Sequence, residues 1–448
     1  HAYAGWTAKN MGLSFKGINV ATNKNDVLHR LFLKDIYQQK EATSSLAPSM
    51  DISVASNFER LLFEVYKKDG SFLKNLFSSF PSKPIMIGSE IYRNSRYGSG
   101  HPLSIERVTP VMDLTIALGW ANESVFINSP IATFDMLTRF HDKKYVSAVI
   151  EAEKSQEVSD DIRELYNLGA GGNPIFPEVF TRPATAVGGA ILAGKLLSEN
   201  ARGVIHSIAG GTHHAQKSKA YGFCFFNDVV LGILTMLDNG LERVLYVDLD
   251  AHHGDGVQDA FKDDQRVFTI SIHEKDRWPR TGNLKDRASG FARNLPVPAG
   301  FNDAELEAII SNAVVPLGLE FDPEAVVIQS GCDALSDDPQ SKLELSNLAL
   351  WAAVGRIVKL APRVLVVGGG GYNPWATARA WSGIWATLND INPNIDLPLA
   401  ATKILKSLTW NHSKGRNPPK HWFYTIADEA NFGVVRDEIS IAIEEVLK

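Results

Sequence analysis

The stretch Val244-Leu245-Tyr246-Val247-Asp248-Leu249-Asp250-Ala251-His252-His253-Gly254-Asp255-Gly256 decides how this chain is read. It is an apolar run, suited to a buried strand, that ends abruptly in acids and imidazoles. Side chains alternate on an extended strand, so Asp248, Asp250 and His252 are expected to share one face at the strand's carboxyl end. Two carboxylates and an imidazole at that spacing suit a divalent cation. The competing reading is a polar turn with an Asx cap, because His253-Gly254-Asp255-Gly256 has turn composition.

Working outward, composition sets bounds. The chain has 448 residues, 44% of them apolar and 21% charged, which is ordinary for a globular protein with a large core. A net charge of −6 offers no broad basic surface, so no direct nucleic-acid partner is expected. No apolar run reaches the roughly 18 to 20 residues of a membrane helix, and no charged-then-apolar leader opens the chain. Cys224 and Cys332 are too few for a disulfide framework, which points to a reducing cytoplasm. An opening His1 instead of Met reads as a truncated or processed product.

From about residue 83, apolar runs at 85–87, 204–208, 244–249, 267–272, 325–329 and 364–367 alternate with helical stretches near 184–197, 228–237, 303–317, 345–360 and 375–388. Val- and Ile-rich runs without polar alternation, separated by helical lengths, predict a doubly wound, largely parallel α/β sheet covered on both faces. Five of the runs lead into reactive residues: His213 and His214; Asp250 and His252; His273; Asp333; and Tyr372 behind four glycines. Ligands bind at the carboxyl ends of strands in such sheets, so these clusters should converge.

The convergent set permits metal-assisted hydrolysis of an amide or ester. Asp250, His252 and Asp333 supply three ligands and leave coordination positions open, as a catalytic site requires. Zn²⁺ suits them, and Fe²⁺ or Co²⁺ is compatible with the same donors. His213 and His214 are candidates for proton transfer, with Asp248 and Asp255 as acceptors for their second ring nitrogens. Tyr372 can donate its hydroxyl to an oxyanion. His253 is assigned to structure.

These residues lie in motifs that resemble the zinc-dependent histone deacetylase superfamily. The motifs are Gly210-Gly211-Thr212-His213-His214-Ala215, Gly222-Phe223-Cys224-Phe225-Phe226-Asn227-Asp228, the opening stretch itself, Gly331-Cys332-Asp333, and Gly368 through Tyr372-Asn373. Among its branches, the class I-like and bacterial acetoin-utilisation deacetylase-like enzymes look nearest, partly because Asp255 stands where class II enzymes usually carry Asn. The resemblance covers residues 83 to about 390 and implies the arginase/deacetylase fold. It implies Zn²⁺ on Asp250, His252 and Asp333, a His213–His214 proton-transfer pair supported by Asp248 and Asp255, and Tyr372 polarising the scissile carbonyl. It further implies an acyl-lysine tunnel lined by Gly222, Phe223 and Trp278, and Arg107 in an internal acetate-exit cavity. A structural K⁺ would use Asp248, Asp250, His252, Ser271 and Ile272.

The implied activity is removal of acetyl groups from acetylated protein lysine or a small acetylated amine. Two readings compete with it: an acetylpolyamine amidohydrolase, and a catalytically silent metal-binding interaction protein. Gln340, after Asp338-Pro339, replaces the usual apolar tunnel-mouth residue of class I enzymes; it either favours a polar or cationic substrate or is simply solvated. Asp160 and Asp161 lie in the region of the family's rim acid.

The first 80 residues carry little chemistry. Helical stretches are expected near 27–38 and 57–68. Ala2-Tyr3-Ala4-Gly5 through Leu13, Ala21 through Leu28, Pro48-Ser49-Met50-Asp51-Ile52, and Ser56 through Leu61 resemble an internal piece of threonine synthase. That family holds pyridoxal phosphate on a lysine this chain does not contain, so the resemblance implies a non-catalytic fragment without pyridoxal phosphate. After about residue 390, proline-containing connectors lead to an amphipathic helix at 437–447.

Overall fold

The computed structural model describes residues 83–98 and 100–448. The helical stretches expected at 27–38 and 57–68, with the threonine synthase-like piece, lie outside the described residues. Eight strands form one sheet: β1 (Ile85–Gly88), β2 (Phe126–Asn128), β3 (Gly203–Ser207), β4 (Val244–Asp248), β5 (Val267–Glu274), β6 (Ala292–Val297), β7 (Ala325–Gln329) and β8 (Arg363–Val367). Their order is β2-β1-β3-β8-β7-β4-β5-β6, and every pairing is parallel.

The six expected strands are all present. The other two, β2 and β6, lie at the sheet edges. They escape an apolar-run reading because β2 has three residues and β6 is interrupted by Arg293, Asn294 and Pro296. An edge strand tolerates proline because its outward side needs no ladder donor. Every residue of β4, β5 and β7 is buried. Because successive side chains point to opposite faces, both faces of the sheet must be covered.

Two sets of helices provide that cover. Thr181–Ser198 packs against Asp228–Asp238 and over β3 and β8, while Pro374–Leu388 packs between Val108–Ala117 and Asn347–Ile357. The helix expected at 303–317 is instead Asp303–Ile309, a π turn at Ile310–Val314, and Val315–Phe321. Pro316, which has no N–H for an intrahelical bond, lies two residues beyond the widened turn. The C-terminal helix Asp437–Val446 packs beside β6, whose Arg293 Nε donates to the Val446 carbonyl at 2.8 Å. This helps shield the open sheet edge.

Topology positions the site. β3 and β4 are consecutive among the central strands, yet β8 and β7 lie between them in the sheet. The loops after β3, β8, β7 and β4 therefore emerge side by side, although they come from residues more than 160 positions apart in the chain, from Gly203 to Val367.

Candidate metal centre and proton-transfer site

Asp250 and His252 follow β4 directly, and Asp333 follows β7, its neighbour in the sheet. The three are buried, with donor atoms within 4.8 Å of one another. His252 Nδ1 stands 2.9 Å from Asp333 Oδ2 and 3.2 Å from Asp250 Oδ1, so one ring nitrogen faces both carboxylates. The carboxylates are held by backbone donors: Gly370 N–H reaches Asp250 Oδ2 at 2.7 Å, and Ala251 N–H reaches Asp333 Oδ1 at 2.9 Å. Gly370 has to be glycine, because a Cβ there would collide with the Asp333 carboxylate.

Burial disfavours ionisation of both acids, with different outcomes. The positive charges of His213 and His252, with the Gly370 N–H, hold Asp250 well below the usual carboxylate range. Burial and the Asp250 charge push Asp333 up. Two buried carboxylates this close are costly without a positive centre between them, and a divalent cation supplies one. The donor set therefore fits a metal ion of the zinc type.

The loop after β3 brings His213 and His214 beside this cluster. His213 Nδ1 donates to Asp248 Oδ2 at 2.8 Å, leaving Nε2 3.8 Å from Asp250 Oδ1. His214 Nδ1 donates to Asp255 Oδ1 at 2.7 Å. The Tyr246 hydroxyl donates to the same Asp248 oxygen at 2.7 Å. The rings lie 3.9 Å apart, and their surroundings drive them in opposite directions. For His213, desolvation opposes the charge, but Asp248 and Asp250 overcome it and raise the imidazole to about 9. Burial and the adjacent His213 hold His214 well below its ordinary value. Neighbouring titratable groups separated in this way mark an acid–base pair.

Tyr372, after β8, is 8% exposed, and burial raises its phenol well above the ordinary value, so the hydroxyl keeps its proton. Its backbone N–H donates to Asp338 Oδ2 at 2.6 Å. Phe223 lies 6.0 Å from the Tyr372 ring, and Trp278 meets His214 edge-on at 4.7 Å. Between them Gly222, at φ +55°, leaves no room for a side chain against Trp278 and His214. Arg107 lies deeper, stacked 5.1 Å over the Trp381 ring and donating to the Gly369 carbonyl. A cavity of about 70 Å³ connects Arg107 with the metal-ligand cluster and Phe223.

The remaining expected residues divide. Ser271 and Ile272 lie on β5, with Ser271 in register with Asp248 on β4. His253 is tied on both ring nitrogens, to Thr281 Oγ1 at 2.8 Å and Gln258 Oε1 at 3.1 Å, which fits its structural assignment. Gln340 lies outside the cavity lining; its backbone N–H caps Asp338 at 2.9 Å. Asp160 and Asp161 are exposed, and Asp160 pairs with Arg163 on its own helix. Gly172 lies against Phe223, and its carbonyl is 2.9 Å from His101 Nε2.

Sequence reasoning passed over several supporting groups. Asp228 lies within a quoted motif but was given no role, and its carboxylate accepts from Gly211 N at 2.9 Å, from Thr212 N at 2.7 Å, and from the Thr212 hydroxyl. Gln329 Nε2 donates to the Gly211 carbonyl at 2.9 Å. Tyr97 OH donates to the Phe223 carbonyl at 3.0 Å. The one available signal was an acid in the first turn of an apolar helix; only tertiary contact shows what it holds.

A buried Asp–His–Asp cluster beside two His–Asp pairs, at the carboxyl edge of a parallel α/β sheet, defines a candidate hydrolytic metal centre. The histone deacetylase domain family matches residues 101–388. The chain is 34% identical over 295 residues to histone deacetylase HDAC1 of Drosophila melanogaster, covering 64% of this chain and 56% of that protein. It is 33% identical over 315 residues to histone deacetylase RPD3 of Saccharomyces cerevisiae, covering 68% and 71% respectively. The crystal structure of an HDAC homolog from Aquifex aeolicus aligns with a TM-score of 0.77 at 35% identity, covering 82% of this chain and 100% of that one. The chain belongs to the histone deacetylase family and has its arginase/deacetylase fold. It spans 56% to 64% of the length of the fly and human relatives.

Proposed function

We propose that this chain is a zinc-dependent deacetylase that hydrolyses the amide of an acetylated lysine or a related acetylated amine. The observation that carries this reading is the placement of two oppositely tuned His–Asp pairs and Tyr372 around the Asp250–His252–Asp333 cluster. A Zn²⁺ ion on those three residues would polarise the amide carbonyl and acidify water. His214, neutral and oriented by Asp255, accepts the proton of the attacking water and returns it to the leaving nitrogen. His213, oriented by Asp248, lies beside Asp250 and would stabilise the negative charge that develops there. Tyr372 donates its hydroxyl to the same oxyanion, and Phe223 with Trp278 flanks the entering side chain.

A structural K⁺ on Asp248, Asp250, His252, Ser271 and Ile272 belongs to this reading, as does a reducing, cytoplasmic setting for the two buried free cysteines. Among the described residues, no helix is long and apolar enough to cross a membrane. The second reading is an acetylpolyamine amidohydrolase, which would take a small acetylated amine.

The test is acetate release from acetyl-lysine peptides and acetylpolyamines, with and without chelator. Chelation should abolish release, and Tyr372→Phe should lower kcat by about 10²- to 10³-fold with metal content unchanged. Unchanged hydrolysis in Tyr372→Phe would defeat the mechanism. No release from any substrate would favour the silent metal-binding protein.

A further inference from the structure

From Leu397 to Ala427 the chain carries Lys403, Lys406, Lys414, Arg416 and Lys420 and no acid, Asp396 and Asp428 being the flanking carboxylates. These 31 residues hold five of the 45 Lys/Arg and none of the 51 Asp/Glu, so the rest of the chain, with 40 against 51, has a formal charge of −11. Solvated charge usually mixes both signs. Here all five cations are exposed, and among the described residues none forms an ion pair with a carboxylate. Asp113, on the helix packed against Leu399–Ser407, pairs instead with Arg93, and Asp428 pairs with Arg379. Aromatic rings give the segment a fixed form. Trp422 stacks on Trp375 at 5.2 Å, Trp410 on His412 at 4.5 Å, and the Lys406 ammonium lies 4.6 Å over the ring of Tyr424, itself 50% exposed. The segment rests on the loop after β7: Lys414 Nζ donates to the Ser336 carbonyl at 3.5 Å, and Trp422 Nε1 donates to Asp337 Oδ2 at 2.8 Å. The next residue, Asp338, accepts the N–H of Tyr372.

We propose that residues 397–427 form a docking surface for an acidic polypeptide segment flanking the acetylated lysine of a substrate. The inference rests on the amide-hydrolase reading and names its substrate class. Five cations without acids complement a run of Asp and Glu, and their attraction acts over about 8 Å at physiological salt. Continuity with the loop that holds Tyr372 places the surface beside the reaction. An extended peptide covers about 3.3–3.6 Å per residue, so acids roughly three to six residues from a lysine at Tyr372 would reach Lys414. The same surface repels an acetylpolyamine, whose free amines are cationic. Nucleic acid fits less well: one arginine among five cations offers little bidentate phosphate recognition, and a long polyanion would meet the acidic remainder of the chain.

The experiment uses the full chain loaded with zinc. Acetyl-lysine peptides are compared that differ only in a run of four Glu, Gln or Lys beginning four residues from the lysine, on either side. At low salt the better-placed Glu run should exceed its Gln counterpart about tenfold in kcat/KM, through KM with kcat kept, and the Lys run should fall below both. The advantage should vanish near 1 M salt, where the screening length is about 3 Å. Lys406→Gln/Lys414→Gln/Lys420→Gln should remove it. The corresponding triple arginine variant keeps the charges and should preserve it, which controls for folding. Lys143→Gln/Lys144→Gln, exposed on another helix, should leave it unchanged. Fluorescence anisotropy of a labelled tetraglutamate peptide without acetyl-lysine reads the surface apart from turnover. Binding that is lost in the triple Gln variant, with no peptide hydrolysed, would remove the enzymatic reading and leave the acidic docking surface standing. Hydrolysis with equal kcat/KM for the Glu and Gln peptides, or a Glu advantage that survives the triple Gln variant, would overturn the proposal. A single-stranded oligonucleotide that binds more tightly than the acidic peptide through the same lysines would also overturn it, and would place a nucleic acid there.

Discussion

Replacing Asp228 by Asn changes one oxygen for an NH2 group at almost constant shape and strikes the loop that carries both histidines. The carboxylate receives the N–H groups of Gly211 and Thr212, at 2.9 and 2.7 Å, and the Thr212 hydroxyl, all within two residues of His213. The amide keeps one acceptor and turns two donors toward the others. Bonds to a charged acceptor contribute about 1.5–3 kcal/mol each, and a buried donor left without one costs about 1–3 kcal/mol. Losing one to two of the three bonds therefore predicts a stability loss of roughly 2–4 kcal/mol. For a body this large that lowers Tm by roughly 3–5 °C. The catalytic effect should be larger, because a displacement of about 1 Å in proton-transfer groups costs on the order of 10²-fold in kcat. Thermal melts, metal analysis and steady-state kinetics on zinc-loaded protein measure these quantities. Metal content should stay close to wild type, since none of the three ligands is hydrogen-bonded to Asp228. A variant with the predicted fall in Tm but an unchanged kcat would refute the view that Asp228 positions the histidines.

Other consequences follow from the same structure. Asp333→Asn removes a negative ligand and leaves His252 Nδ1 facing an amide; zinc bound per chain after dialysis should fall steeply while the far-ultraviolet spectrum is kept, and stoichiometric zinc in this variant would exclude Asp333 as a ligand. His141 donates from Nδ1 to the Gln216 carbonyl and accepts the Asn227 N–H on Nε2, and burial lowers it to about 4. The unfolded state then binds the extra proton between about pH 6.5 and 4, so stability is complete above the unfolded value and about 3 kcal/mol is lost as pH falls through that window. His141→Gln should flatten this part of a denaturation-versus-pH curve; an unchanged slope would be inconsistent with a neutral buried imidazole. His206 is 0% exposed and neither ring nitrogen has a partner, so His206→Leu should raise the free energy of unfolding by about 1 kcal/mol in denaturant titrations, and a loss of that size would mean the ring is satisfied in solution.

Local pattern determined much of this protein. The Val- and Ile-rich runs identified six of eight strands, because a strand buried on both faces has no polar alternation to hide it. The acids and imidazoles were visible for a related reason: they interrupt apolar runs at strand ends, where a core residue would otherwise continue. Edge strands were not legible, since β2 is three residues long and β6 carries Arg293, Asn294 and Pro296 on a strand with one neighbour. Nor was the break at Ile310–Val314, which depends on how the chain accommodates Pro316.

Tertiary structure alone decided which of these groups act together. Asp250 and Asp333 share a site because β4 and β7 are neighbours, although the residues between them build two further strands. Asp228 and Tyr246 read as an ordinary helix-start acid and a strand aromatic; folding makes them the partners of Thr212 and Asp248. That Gly172 lies against Phe223 has no signal in the local pattern either. The physical reason is common to all of these cases: side-chain type and period are local and determine what each element can bury or bind, whereas a site is a sum of short-range interactions among groups distant in sequence. Only the order of strands in the sheet decides which of them lie within reach.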